Sequence, residues 1–240
     1  MKHTPTAVPS ATSILNALVA LRNPARALRA QAYFKTAPGE YGEGDQFLGI
    51  PVPTLRRLSK EHRTLPIRSV MTLLRSPWHE ARQLALFILV LQFERGDEVK
   101  REDVYPRYVQ HTQYINNWDL VDCSARQIVG GWLLSRDRAP IETLVRSRVL
   151  WERRIGVLAL FRLVEDGEFD YPLQIARLLL TDPHDLMHKA VGWMLRDIGD
   201  GDRATLERFL DAQVAKMPRT MLRYAIEHSP EQRRRQYLAR

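Results

Sequence analysis

A repeat of about 36 residues constrains the fold of this chain more than any other feature. Arg82 and Arg154 hold equivalent positions in two similar segments 72 residues apart, and Trp118 lies at the midpoint. A further step of 35 residues reaches Lys189, and a step of 34 then reaches Arg223. Repeats of this length with two helices each are typical of HEAT-like α-solenoids. We therefore expect an all-α solenoid that forms a curved single domain, in which the second helices of the pairs line a concave face.

The periodicity within each repeat is helical. Apolar residues recur at intervals of three and four, as in Leu84, Phe87, Ile88 and Leu91, and no segment shows the sustained alternation of a strand. Proline marks the short breaks between helices at Asn23–Pro24, Ser76–Pro77, Asp182–Pro183, Met217–Pro218 and Ser229–Pro230. The pattern predicts about a dozen helices in one domain over residues 11–240, preceded by a flexible N-terminus over residues 1–10.

One segment departs from this pattern. Residues 38–45 contain three glycines, which predicts a loop. It is long for a connection between helices, so it is a candidate functional loop.

The composition restricts the classes of function. The chain has 36 Lys and Arg against 28 Asp and Glu, and this excess of 8 positive charges suggests a polyanionic partner, although a solvated basic surface is equally compatible. No apolar run is long enough to span a membrane, and the N-terminus has no apolar core of a signal peptide. The single cysteine, Cys123, excludes an intramolecular disulfide and fits a cytoplasmic protein.

The repeat phase predicts a basic surface. Arg82, Arg154, Lys189 and Arg223 share one phase, and cations at one phase of a solenoid would form a stripe along one face. The phosphate backbone of duplex DNA is the natural complement of such a stripe. The alternative is a row of solvated side chains without a partner.

The fifth residue of this phase, Trp118, stands four residues before Asp122 at an expected helix start. Residues one turn apart leave the same face of a helix. Together with Trp193, they would frame a site with two indoles and a carboxylate, which suits a cationic base and an oxocarbenium-like sugar. The alternative is that both tryptophans belong to the core and that Asp122 is an exposed helical residue.

Other chemistries find little support. The sequence has no nucleophile elbow, no phosphate-binding loop and no zinc-protease motif. His184 and His188 have a spacing compatible with metal ligands, but we predict no metal site. Cys123 has no histidine in recognisable relation to it, so we expect a buried small apolar residue rather than a nucleophile.

Several long segments, in order, resemble the AlkD-like DNA alkylation repair proteins, a family of HEAT-like repeat DNA glycosylases. The resemblance extends from about Leu28 to the end of the chain. The segments that carry it are Phe47–Pro53 with Arg56–Arg57, Asn117–Asp122, Leu150–Arg154, Lys189–Arg196 and Met217–Ala225. The loop at 38–45 is an insertion relative to the shorter form of the family.

The resemblance implies a function. Its members excise N3- and N7-alkylated purines such as 3-methyladenine and 7-methylguanine from duplex DNA, without a cofactor and without flipping the base into a pocket. For this chain it implies a monomer that acts on alkylated double-stranded DNA in the cytoplasm, associated with the nucleoid. It implies no protein or membrane partner.

The resemblance also implies roles for individual residues. Asp122 is the expected catalytic carboxylate, and Trp118 and Trp193 are the indoles that hold the lesion nucleotide. Arg154 is the expected arginine of the DNA cleft, and Tyr33 the tyrosine that approaches the DNA backbone. The other expected DNA contacts are Arg82, Arg153, Lys189, Arg219 and Arg223.

Two further functions stay open on the sequence. One is a HEAT-like relative without catalysis that binds branched or damaged DNA. The retained Trp118, Asp122 and Trp193 argue against it. The other is a protein-binding scaffold, which would need no row of cations.

Overall fold

We describe residues 10–239 of a computed structural model. The prediction of a flexible N-terminus falls, except for Ser10, outside these residues. Ser10 caps the start of the first helix, since its side chain accepts a hydrogen bond from the Ser13 amide at 3.1 Å. The prediction of one domain over residues 11–240 stays a prediction, because the chain separates into two compact units at the Ser124–Ala125 peptide bond.

The first unit contains seven α-helices in the described residues. They are α1 (Ala11–Ala20), α2 (Pro24–Tyr33), α3 (Val52–Glu61), α4 (Ile67–Leu74), α5 (His79–Arg95), α6 (Glu98–Val109) and α7 (Trp118–Asp122). A short 3-10 helix, Thr112–Tyr114, precedes α7.

Up to Leu238, the second unit contains eight α-helices. They are α8 (Gly131–Leu133), α9 (Ala139–Val145), α10 (Leu150–Glu165), α11 (Asp170–Leu178), α12 (Asp185–Gly201), α13 (Arg203–Gln213), α14 (Arg219–Ala225) and α15 (Glu231–Leu238). A π-helical turn over Arg126–Gly130 precedes α8, and a 3-10 turn over Val214–Lys216 follows α13.

The all-α helical-repeat prediction is confirmed. Between residues 10 and 239 there is no strand, only an isolated bridge between Gln46 and Trp78. Each proline break predicted from the sequence separates two helices or begins one. Among the described helices, none has the length and apolarity needed to cross a bilayer.

Helix α5 forms the centre of the first unit. It contacts α3, α4, α6 and α7. Leu84, Leu86, Ile88 and Leu89 on this helix are fully buried. Each such side chain contributes about 1.5–3 kcal/mol through removal of apolar surface from water, so α5 is the support on which the shorter helices pack.

Helices α10 and α12 form the centre of the second unit, as α5 does in the first. The first contacts α9, α12 and the π-helical turn, and the second contacts α13 and α14. Two glycines allow close approaches between backbones. A methyl group on Gly130 would lie 2.4 Å from the carbonyl oxygen of Ala159, and one on Gly192 would lie 2.6 Å from that of Met221. These contacts fix adjacent helices backbone to backbone.

The segment at 38–45 is a loop, as predicted, and its residues Gly42 and Asp45 are buried. A methyl group on Gly42 would lie 2.4 Å from the carbonyl oxygen of Phe34, so only glycine lets the loop fold back onto the end of α2. The next segment is anchored by the buried carboxylate of Glu80, which accepts hydrogen bonds from the amides of Leu48, Gly49 and Ile50 at 2.8, 2.6 and 3.2 Å. The loop is therefore a structural part of the first unit.

Substitution of Gly49 should destabilise this anchor. Its φ is +82°, and a methyl group there would lie 2.3 Å from the carbonyl oxygen of Asn23. We expect Gly49→Ala to lower the free energy of unfolding by about 3 kcal/mol through backbone strain and overpacking. Gly39→Ala is the matched control, because Gly39 has φ +79° but open space around it, and should cost about 1 kcal/mol. Equal losses in urea denaturation would contradict this packing.

Candidate functional site

Helix α7 has a single turn and carries the residues predicted to be catalytic. It begins at Trp118, where the fully buried Asn117 side chain accepts a hydrogen bond from the Trp118 amide at 2.9 Å. It ends at Asp122, and both Trp118 and Asp122 are partly exposed. The predicted helix start is confirmed, and the spacing of one turn puts the indole and the carboxylate on the same side of α7.

The indole of Trp118 packs in an aromatic cluster with the end of α2. Its ring centroid lies 5.4 Å from that of Phe34, with the planes inclined by 30°, and 6.0 Å from that of Tyr33 at 68°. Tyr33 is 65% exposed, so it is available at the surface beside Trp118. The sequence predicted Tyr33 but missed Phe34, which is the ring that stacks on the indole.

A buried charged cluster of Asp45, His79, Arg82 and Asp119 lies next to the aromatic rings and contacts α7. The His79 side chain, 2% exposed, lies between two carboxylates. Its Nδ1 is 2.7 Å from Oδ2 of Asp45, and its Nε2 is 2.9 Å from Oδ2 of Asp119. Gln83 Nε2 donates a second hydrogen bond to the same Asp119 oxygen at 3.0 Å. Asp119 belongs to α7, so this cluster connects α7 with α5.

Arg82 is the fourth member of the cluster, and its position contradicts the predicted basic stripe. Its side chain is 6% exposed, and its Nη2 donates to Asp45 Oδ1 at 2.6 Å and to Asn116 Oδ1 at 3.2 Å. Nη1 donates to the carbonyl oxygens of Ser76 and Pro77. A guanidinium so enclosed does not form part of an exposed basic stripe, so the prediction of surface exposure is wrong for Arg82.

The electrostatics of the cluster keep His79 charged. Burial alone would lower its pKa, but hydrogen bonds and charge interactions with Asp119 and Asp45 outweigh burial and raise the pKa from 6.5 to about 9. Burial would raise the pKa of Asp45, yet His79 and Arg82 hold that pKa below its ordinary value. At neutral pH, His79 is therefore an imidazolium that donates from both nitrogens.

A pocket of about 310 Å³ lies beside this cluster within the first unit. Phe34, Phe47, His79, Gln83 and Asp119 are among the residues that line it. Phe47 stacks on the His79 ring at 4.4 Å, with an angle of 22° between the planes. Phe34 contacts both the pocket and Trp118, so the pocket and α7 share one aromatic wall.

The predicted residues of the second unit occupy helices α10 and α12. Trp193 is partly exposed, and its ring packs edge-to-face on the buried Phe161 at 4.6 Å. Arg154 is only 5% exposed, and its Nη1 donates to the Leu186 carbonyl oxygen at 2.7 Å. The prediction of an exposed stripe is thus also wrong for Arg154, which connects α10 to the start of α12.

The other predicted cations differ in their exposure. Arg153 forms an ion pair of 2.7 Å with the buried carboxylate of Asp182. Lys189 forms an ion pair of 2.8 Å with Asp185 and retains 39% of its side-chain surface. Arg219 and Arg223, on α14, are exposed. Among the predicted cations of the second unit, Arg219 and Arg223 are exposed and Lys189 is partly exposed, whereas Arg153 and Arg154 are more enclosed.

Cys123 is the residue next to Asp122, and its chemistry is unfavourable for a nucleophile. Burial, together with the charges of Asp119 and Asp122, raises the pKa of its thiol well above the ordinary value. Its Sγ contacts the Leu120 carbonyl oxygen at 3.4 Å. A thiol with a raised pKa is protonated at neutral pH, which disfavours a nucleophile. Cys123 is partly exposed, whereas the sequence predicted a buried residue.

The two histidines with metal-ligand spacing have other partners. His184 Nδ1 accepts a hydrogen bond from the Leu186 amide at 3.1 Å, and His188 Nε2 is 2.6 Å from the Asp182 carbonyl oxygen. These contacts fix the start of α12. In the described part of the chain, no three His, Cys, Asp or Glu side chains converge as metal ligands.

The fold and the residues of α7 define a helical-repeat protein with an indole and a carboxylate at one partly exposed helical turn. Residues 14–229 match the family described as DNA alkylation repair enzyme, and the chain belongs to that family. A predicted DNA alkylation repair enzyme from Enterococcus faecalis has a similar solved structure, with a TM-score of 0.66 over 88% of this chain and 97% of that chain. The two chains are 20% identical, so this likeness shows the fold. No curated protein matches the chain.

Removal of one charge from the cluster should destabilise the first unit strongly. We expect Asp45→Asn to lower the free energy of unfolding by about 3–5 kcal/mol, because it leaves the buried His79 and Arg82 cations without their shared carboxylate. Glu94→Gln, which neutralises an exposed carboxylate on the same helix as His79, is the control and should change stability by less than about 0.5 kcal/mol. Similar denaturation midpoints for the two variants would show that the cluster contributes little.

Proposed function

We propose that the protein is a DNA glycosylase of base excision repair. Its substrates would be cationic N3- or N7-alkylated purines in duplex DNA, such as 3-methyladenine and 7-methylguanine, removed without flipping the base into a pocket. The observation that carries the proposal is the pairing of Trp118 and Asp122 on α7, where both side chains are accessible in a member of the DNA alkylation repair enzyme family. The chain would act in the cytoplasm on the nucleoid, as a monomer.

Hydrolysis of the glycosidic bond of a cationic purine needs few catalytic groups. Alkylation at N3 or N7 gives the purine a positive charge, so the bond from the base nitrogen to C1′ breaks with both electrons going to the departing neutral base. Positive charge then develops on the sugar, and the Asp122 carboxylate stabilises it electrostatically. A water molecule oriented by Asp122 adds to C1′ and loses a proton to solvent. The products are the free base and an abasic site.

The indole of Trp118 has a different role in this proposal. Its face attracts positive charge by about 0.5–2 kcal/mol, depending on desolvation. Phe34 stacks on Trp118 and limits its rotation, so the indole presents a fixed surface to the lesion nucleotide. Trp193, held by Phe161, would be the second indole. No general acid is required, because the base leaves without protonation.

DNA contact would come from the exposed residues of both units. Tyr33 in the first unit, and Lys189, Arg219 and Arg223 in the second, have the accessible side chains that phosphate binding requires. Arg153 and Arg154 are largely enclosed, so the matching motif is the only support for their contact with DNA. Arg82 is left out of the proposed contacts, because its guanidinium is enclosed by Asp45 and two backbone carbonyls.

Neutralisation of Asp122 tests the proposed catalytic role. We expect Asp122→Asn to lower the single-turnover rate of 7-methylguanine excision from duplex DNA by about 100-fold or more, since it removes the charge that opposes the developing cation. Affinity for the same DNA should change less than about twofold, because the proposed contacts to phosphate are untouched.

Asp166→Asn, an exposed carboxylate in the second unit, is the matched control and should excise at the wild-type rate. Excision by Asp122→Asn at the wild-type rate would remove Asp122 from the mechanism. Binding of methylated DNA without any excision by the wild-type protein would instead favour the non-catalytic DNA-binding function.

Substitution of Arg223 tests the proposed DNA surface. We expect Arg223→Ala to weaken binding to all duplex sequences similarly and to reduce the slope of log affinity against log salt by about one. The control is Arg107→Ala, which removes a half-exposed arginine, paired with Asp103, from α6 outside the repeat phase. Equal slopes for Arg223→Ala and the wild-type protein would exclude Arg223 from phosphate contact.

A further inference from the structure

Helix α7 is too short to hold its own orientation. It has five residues, and an isolated helix of this length does not form in water. Its direction, and with it the positions of Trp118 and Asp122, must come from contacts with the rest of the first unit. Leu120 and Val121 are fully buried and hold α7 against the core, but apolar contacts alone define a rotation poorly.

Asp119 supplies the directional contacts. It stands between Trp118 and Asp122, and its Oδ2 accepts hydrogen bonds from His79 and Gln83 of α5, at 2.9 and 3.0 Å. Its Oδ1 is buried without a partner among the described residues. The two bonds to Oδ2 therefore carry the polar attachment of this carboxylate.

His79 is itself held on three sides. Asp45 accepts from its Nδ1 at 2.7 Å, and the rings of Phe47 and Phe34 lie 4.4 and 5.2 Å from its centroid. Arg82 holds Asp45 and also donates to Asn116, two residues before α7. The buried charged cluster is thus hydrogen-bonded to α7 through Asp119 and to the preceding segment through Asn116.

We propose that His79 is a positioning residue for the excision reaction, holding α7 through Asp119 so that Trp118 and Asp122 keep their reactive arrangement. This inference rests on the proposed glycosylase function. In the proposed mechanism, His79 contacts neither the substrate nor the reacting atoms. It acts only through its hydrogen bond to Asp119, which lies on α7 together with Trp118 and Asp122.

The protonation state of His79 decides how many of these bonds exist. An imidazolium donates to Asp45 and Asp119 together, whereas a neutral imidazole has one N–H and can donate to only one of them. Asp45 keeps Arg82 as a partner, but Asp119 keeps only the Gln83 amide. Two other charged residues line the same pocket: Glu80, which already accepts hydrogen bonds from three backbone amides, and Arg26.

The sign of the pH dependence follows from these bonds. The pKa of His79 is raised in the folded protein, to about 9 from 6.5. Its stabilising contribution is therefore complete below pH 6.5 and is lost as the pH rises through about 9. Excision should decline over the same range, because the Asp119 carboxylate of α7 loses its attraction to the positive charge of His79 when the ring becomes neutral.

The test combines a variant with a pH profile. Single-turnover excision of 7-methylguanine would be measured between pH 6 and 10, as a rate and as a half-saturating protein concentration, after subtraction of spontaneous release. We expect the wild-type rate to fall by about tenfold across pH 9. His79→Gln, which keeps a donor of similar reach but no charge, should be about tenfold slower at pH 7, with no such fall and an unchanged half-saturating concentration.

His228→Gln is the matched control, because His228 also pairs with an aspartate, Asp200, but its side chain is 53% exposed. It should retain the wild-type rate and pH profile. A His79→Gln variant that is folded and excises with the wild-type rate and profile would overturn the inference. A general loss of structure would instead raise the half-saturating concentration as well.

A second measurement reads the position of Trp118 without catalysis. The protein would carry 5-fluorotryptophan, and Trp118→Phe would identify the ¹⁹F resonance of residue 118. In the wild-type protein we expect this resonance to titrate with a midpoint near pH 9, and His79→Gln should abolish the titration. A resonance that does not move between pH 6 and 10 would overturn the coupling, even if His79→Gln failed to fold.

The two measurements separate the inference from the proposed function. A wild-type protein that excises no alkylpurine but shows the titration of Trp118 would refute the glycosylase and support the coupling of His79 to α7. A protein that excises 7-methylguanine with a Trp118 resonance and a rate independent of His79 would support the glycosylase and refute the coupling.

Discussion

The contact between the buried His79 imidazolium and the two carboxylates of Asp45 and Asp119 holds together the parts of the first unit on which the proposed function depends. Removing charged groups from water is costly, and the cost is offset only where opposite charges and hydrogen bonds replace the lost solvation. Here the imidazolium pairs with both carboxylates, and Arg82 pairs with Asp45, at distances of 2.6 to 2.9 Å. The cluster joins three pieces of chain that are distant in sequence: the end of the glycine-rich loop, helix α5 and helix α7.

This arrangement explains why the loop at residues 38–45 is present in a chain otherwise built of helices. The loop delivers Asp45 into the interior, and Gly42 allows it to close against Phe34. Phe34 in turn stacks on Trp118. The loop therefore acts on α7 in two ways, through the charge of Asp45 on His79 and through the ring of Phe34 on the indole. Its contribution to the candidate site is structural support from within the first unit.

The sequence alone could predict the helical class, the proline-marked helix starts and the one-turn spacing of Trp118 and Asp122, because these depend on local periodicity and backbone chemistry. It could not predict that the side chains of Arg82 and Arg154 are buried. A repeat phase gives the angle at which a residue leaves a helix, but whether a long cation reaches solvent depends on neighbouring helices and on carboxylates such as Asp45. His79 and Asp119 were missed for the same reason, since their contact joins residues 40 positions apart. A buried His beside a Trp-Asp motif is visible only in three dimensions.

The chain belongs to the DNA alkylation repair enzyme family and shares the fold of a solved structure, and the proposed excision chemistry would depend on α7. The most direct test is to incubate the wild-type protein with methylated duplex DNA and to separate the released bases by chromatography. If the protein is a glycosylase, we expect free 7-methylguanine and 3-methyladenine, with one abasic site formed for each base released. Tight binding of the same DNA with no base released above the spontaneous rate would contradict it.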